Sequence, residues 1–134
     1  MTHTSSEDWN LFQAEFNEWQ KRLSLGDWEV EHAERKMASA RAKAEWTLEA
    51  MAAKVTFSSD WTGAILNPYE ITRTAFHECL ELLLAELSGM AMSKFNHDEV
   101  SRVTHAVIHR IEAAFFKPIT LTQVQPSGIP ATQA

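Results

Sequence analysis

Trp9, Phe12, Phe16, Trp19 and Leu23 recur at steps of three and four, with Glu7, Asp8, Glu15, Glu18, Lys21 and Arg22 between them. That spacing predicts an amphipathic helix from about Ser6 to Leu25, its aromatic stripe turned to a core. Ser5 or Ser6 can cap its start, and Gly26 can end it. From Asp27 the period shortens to two. Trp28, Val30 and His32 alternate with Glu29 and Glu31, which predicts a half-exposed strand. A longer alternation follows, in which Ala40, Ala42, Ala44, Trp46 and Leu48 interleave with Arg41, Lys43, Glu45, Thr47 and Glu49. Its Ala-rich composition favours helix, so an all-helical chain with residues 34–54 helical is the competing reading. The strict two-residue alternation decides for a strand. Val55, Thr56 and Phe57 form a third short strand, ended by Ser58-Ser59-Asp60, and Trp61 to Leu66 form a loop carrying Gly63.

Asn67-Pro68-Tyr69-Glu70 combines a capping Asn, a Pro at the first helical position and an acid in the first turn. A helix is expected from there to about Leu87, stopping near Gly89. Its middle, Cys79 to Ala85, is apolar almost all round, so it should be central and largely buried. Asn96-His97-Asp98-Glu99 opens a last helix. Val100, Val103, Val107, Ile108, Ile111, Ala114 and Phe115 give it an apolar face up to Lys117, and Pro118 ends it. The order is helix, three strands, helix, helix: an α+β fold in a single domain, residues 1–117. Residues 118–134 read as an extended or disordered tail.

Composition narrows the function classes. The chain has 134 residues, 45% of them hydrophobic, and a formal net charge of −6. No window concentrates Lys or Arg, so nucleic acid is not an expected partner. No run approaches the roughly 20 apolar residues that span a bilayer, so no membrane association is expected. The first ten residues are polar and unlike a signal peptide, and the single Cys79 has no intramolecular partner. These features predict a cytoplasmic protein.

The chemistry concentrates on the helix opened by Pro68. His77 and Glu81 are four residues apart, on one face and one turn from each other. Burying the pair on an apolar helix is costly unless it is matched to a cation. Zinc meets that need, because an i, i+4 pair offers two ligands at tetrahedral spacing. Glu78 points roughly 100° round the axis, where a carboxylate that is not a ligand can take a proton from water. The last helix supplies a third ligand. His105 is the first choice, with His109, Asp98 and Glu99 as alternatives; Ser101 and Glu112 lie near the same stripe. His3, His32 and His97 are expected at the surface.

The segments Trp28-Glu-Val-Glu, Thr74-Ala-Phe-His-Glu-Cys-Leu-Glu-Leu-Leu-Leu and Glu99…His105-Ala-Val-Ile-His-Arg-Ile-Glu112 resemble small zincin-like proteins of phages and prophages. These are similar to minigluzincins and to SprT-like domains. The resemblance covers roughly residues 6–117 and is motif-specific only on the active-site helix. It implies a minimal zincin-like fold: N-terminal helix, short three-stranded sheet, active-site helix and C-terminal ligand helix. It also implies a zinc-dependent metallopeptidase acting on a peptide or protein substrate, in a bacterial or phage-infected host cell. His77 would then be a zinc ligand and Glu78 the general base. Glu81 departs from the His-Glu-x-x-His pattern, and His105 would restore a site of two His and one carboxylate. An extended substrate is expected to lie along the third strand as an added strand. The alternative is an inactive zincin-fold module that binds a phage or host protein.

Overall fold

The computed structural model describes residues 2–116. Four helices and a three-stranded mixed sheet alternate as α1 (Ser6–Arg22), β1 (Glu29–Arg35), β2 (Ala42–Thr47), β3 (Ala52–Ser58), α2 (Pro68–Leu83), α3 (Ala85–Met92) and α4 (His97–Phe115). The α+β layout is the one the hydrophobic pattern predicts. The expected tail at residues 118–134 lies outside the described residues.

Helix α1 starts where the capping signal places it. The Ser5 hydroxyl accepts from the Asp8 N–H while the Asp8 carboxylate accepts from the Ser5 N–H, a reciprocal capping box. Its end is earlier than expected: Leu23 caps the helix and Ser24, at φ 57°, makes the left-handed turn that Gly26 was expected to make. The Gln20 side chain donates to the carbonyls of Leu25 and Trp28, which holds this turn against the start of β1.

The strand order is β1-β3-β2, with β1 parallel and β2 antiparallel to β3. The register pairs His32 with Val55 and Ala44 with Val55, so Val30, His32, Ala42, Ala44, Trp46, Ala53, Val55 and Phe57 share one face. That face packs on Phe12 and Phe16 of α1 and on Ile71, Ala75, Cys79 and Leu82 of α2. Glu31, Lys43, Glu45 and Lys54 occupy the opposite face and are exposed, as expected of a sheet with one wet side. This order corrects the expected docking edge. β3 lies between two strands and has no open side, because β1 returns beside it across the sequence gap; the edge next to α2 belongs to β2.

His32 also departs from expectation. It is not a surface residue: its ring lies 5.0 Å from that of Phe16 and edge-on to Phe12 and Trp9, and neither ring nitrogen has a partner. Burial lowers its pKa.

Asn67 caps α2 by accepting from the Glu70 N–H at 2.8 Å, with Pro68 in the first turn. The helix stops at Leu83, short of the expected Leu87. Leu84, at φ −95° and ψ 1°, closes α2 and opens α3. Gly89 therefore sits inside α3 and does not terminate α2. A Cβ there would lie 2.7 Å from Leu48 Cδ1 on the β2–β3 hairpin, the far end of a side chain that could shift to admit it. After α3 the chain reverses, and the Asn96 side chain caps α4 by accepting from the N–H groups of Asp98 and Glu99. Helix α4 returns to α2 through a small second cluster of Phe76, Leu80 and Ile108, flanked by Trp19, Leu23, Leu84, Ile111 and Phe116. Among the described residues, no helix is long and apolar enough to cross a membrane.

Candidate metal centre

Helices α2 and α4 bring together one donor atom each from His77, Glu81 and His105, all within 4.8 Å of one another. His105 Nε2 lies 3.0 Å from Glu81 Oε1, and His77 Nε2 lies 3.9 Å from the same oxygen. Ligands of a tetrahedral zinc at bond lengths of about 2.0–2.1 Å sit roughly 3.3 Å apart, between these two values.

The hydrogen bonds on the far side of each imidazole decide which nitrogen faces inward. His105 Nδ1 lies 2.8 Å from the Ser101 carbonyl, which can only accept, so Nδ1 carries the proton. His77 Nδ1 lies 2.5 Å from Glu112 Oε1, and against an ionised carboxylate it must likewise donate. Both rings therefore direct Nε2 at Glu81, itself an acceptor. Nε2 of each ring and the Glu81 oxygen converge, and a proton or a cation must lie between them. The partners of Nδ1 are those that metal-ligating histidines use to fix their tautomer.

Glu112 is the residue whose part the sequence left open. It is 3% exposed and collects His77 at 2.5 Å and both Arg73 and His109 at 3.5 Å. Burial pushes its carboxyl up, but the hydrogen bond and charge of His77, with Arg73 and His109 behind them, outweigh burial and hold it below the usual carboxylate value. Its position at i+7 from His105 was the available signal, and no pattern in the sequence said which acid on that stripe would be covered.

Glu78 is 4% exposed, and its Oε2 has no hydrogen-bond partner. Burial, then the neighbouring Glu81 and Glu112 carboxyls, raise its pKa well above the ordinary value. Glu81, one of the three converging groups, is thus an immediate neighbour of this carboxyl.

The remaining candidates fall elsewhere. Asp98 and Glu99 are exposed at the start of α4, away from the donors. His109 faces Glu112, and with His77 these make a second triplet within 4.8 Å. That triplet shares His77 but is disfavoured for a cation. It borders a cleft of about 230 Å³ into which Arg41 and Arg73 also project, and two guanidinium charges oppose a dication there. Cys79 is buried against the Phe16 carbonyl, and burial pushes its thiol far up, so it is a packing residue. Among the described residues, these two His/Glu groups are the ones able to hold a metal ion. Comparison with protein-family models, with curated proteins and with solved structures gives no match.

Proposed function

We propose that the protein is a zinc-dependent metallopeptidase of the zincin type, with zinc held by His77, Glu81 and His105 and with Glu78 as general base. The observation that carries this reading is the approach of two imidazole Nε2 atoms to one carboxylate oxygen, with both Nδ1–H groups committed elsewhere. The donor set fits zinc, which takes nitrogen and carboxylate oxygen together. When bound, zinc supplies Lewis acidity, acidifying water and polarising a carbonyl oxygen. Glu78 accepts the proton of the attacking water and returns it to the leaving amine. Glu112 keeps the proton of His77 on Nδ1, so that Nε2 stays free to ligate. Residues Arg41 and Ala42, at the start of edge strand β2, line the cleft with Glu78, so an extended peptide added to β2 would run past the base.

A second reading is favoured by one feature. Leu87, Phe95 and Val103 are more than half exposed and line an apolar groove between α3 and α4, which suits a module that docks on another protein. Elemental analysis separates the two. The metallopeptidase reading expects one zinc per chain in the native protein and a loss in Glu81→Ala and His105→Ala. Fully folded protein that takes up no added zinc would leave only the docking module.

A further inference from the structure

The metal donors occupy one side of His77, and the other side opens on a differently charged cleft. Arg41 and Arg73 line it together with His77, Glu78, His109 and Glu112. Both guanidiniums are held in place. Glu70 accepts from Arg41 Nη1 at 2.9 Å and from Arg73 Nη1 at 3.4 Å, and Arg73 reaches Glu112 at 3.5 Å. Arg41 also lies 5.3 Å over the ring of Trp61, a cation–π contact that fixes its plane. Two cations share Glu70, while Glu112 serves two histidines besides Arg73. With five N–H groups on each guanidinium, the pair keeps donors for a further planar anion. Neither arginine is needed to cap a helix or to fill the core. Each is instead fixed by carboxylates at the rim of the cleft, the arrangement that holds a guanidinium ready for a ligand.

We propose that Arg41 and Arg73 form a carboxylate pocket that binds the free C-terminal carboxylate of a peptide. Arg73 stands one helical turn before His77, a rise of about 6 Å. One residue spans about 3.5 Å of extended chain. That rise is less than two residues of extended chain, so a carboxylate on the arginines leaves the last two peptide bonds nearest to Glu78. This deepens the metallopeptidase reading and rests on it for the cleavage, though the pocket itself rests on the cleft alone. The reaction is hydrolysis of one of the last two peptide bonds. The water oxygen bonds to the acyl carbon, the C–N bond breaks, and the proton passes to the departing amine, which leaves as an amino acid or dipeptide.

The test has two arms. Metal-free protein is titrated with N-acetylalanine and with N-acetylalanine amide while the side-chain N–H signals of its arginines are followed by NMR. The carboxylate should shift Arg41 and Arg73 and the amide should not, and Arg41→Gln should weaken binding at least tenfold. Equal responses to the two compounds, or unchanged affinity in Arg41→Gln, overturn the pocket. In the second arm, zinc-loaded protein meets peptides with free or amidated C-termini, read by mass spectrometry. Release of single residues or dipeptides from free ends alone supports the proposal. Equal internal cleavage of both overturns it and leaves the metallopeptidase reading standing. Carboxylate binding at the arginines without any cleavage keeps the pocket and removes that reading.

Discussion

His32 and His77 are both withdrawn from solvent, and their surroundings differ in every other respect. His32 lies on the helix-covered face of the sheet among Trp9, Phe12 and Phe16, and both its ring nitrogens lack partners. His77 lies between two carboxylates, Glu112 on Nδ1 and Glu81 facing Nε2. The first is a packing residue, kept neutral by burial. The second donates through Nδ1 to Glu112 and turns Nε2 toward Glu81. A covered histidine is thus no mark of a site in itself; acids on both ring edges make His77 the candidate.

The contrast can be broken in four ways. The largest effect should come from His77→Ala, which removes a proposed ligand. Zinc affinity by calorimetry should fall by more than about a hundredfold, whereas His32→Phe should leave it unchanged. Equal losses in the two variants would erase the distinction. Next comes Glu78→Gln, which should lower peptide cleavage about 10²- to 10⁴-fold, the usual contribution of a positioned base, with zinc stoichiometry retained. Loss of zinc as well would place Glu78 among the ligands.

Glu112→Gln sharpens the assignment of the two sides of His77. As the group that orients His77, Glu112 should cost about 10- to 100-fold in zinc affinity, and His109→Ala should cost little. If both variants match His77→Ala, the cation belongs in the His77, His109 and Glu112 triplet. The smallest effect is expected at His32. Its folded pKa lies below its ordinary value, so the unfolded chain binds the proton more readily. The stability associated with neutral His32 is complete above its unfolded pKa of about 6.5 and is lost as pH falls through and below that value. Thermal melts of the metal-free protein should show this acid-side loss, and His32→Phe should reduce it. At neutral pH the same substitution removes two unpartnered nitrogens and should stabilise by about 1 kcal/mol. A variant with an unchanged pH profile would show that His32 titrates as if exposed.

How far the sequence reaches depends on the range of the interaction that fixes each feature. Ser5, Asn67 and Asn96 cap their helices from within a few residues, and these starts were legible. The alternation through Ala42, Ala44 and Trp46 assigned the sheet faces correctly, because register follows from which face is covered. Strand order was not legible, since β1 joins β3 in parallel over a long sequence gap and no local signal encodes that pairing. The break at Leu84 was hidden inside an apolar run without Gly or Pro, where tertiary packing overrides propensity. The closeness of His77 and Glu81 was legible because i, i+4 spacing on α2 sets them one turn apart, whereas which residue of α4 meets them depends on how the two helices dock. Glu112, Arg41 and Arg73 were not, because each resembles an ordinary surface charge until α4 and the start of β2 close over α2.

The division of the interior into two clusters has a consequence for motion. Helix α1, the sheet and most of α2 share the larger cluster, whereas α4 is held by the smaller one around Phe76, Leu80 and Ile108. Helices docked by few apolar contacts open locally before the rest of a domain unfolds. The donor atoms straddle that seam, with two on α2 and one on α4. A cation bound across it would act as a staple, adding its binding free energy to the closed state. Amide exchange along α4 should accordingly be faster than along α1 in metal-free protein, and adding zinc should slow it selectively.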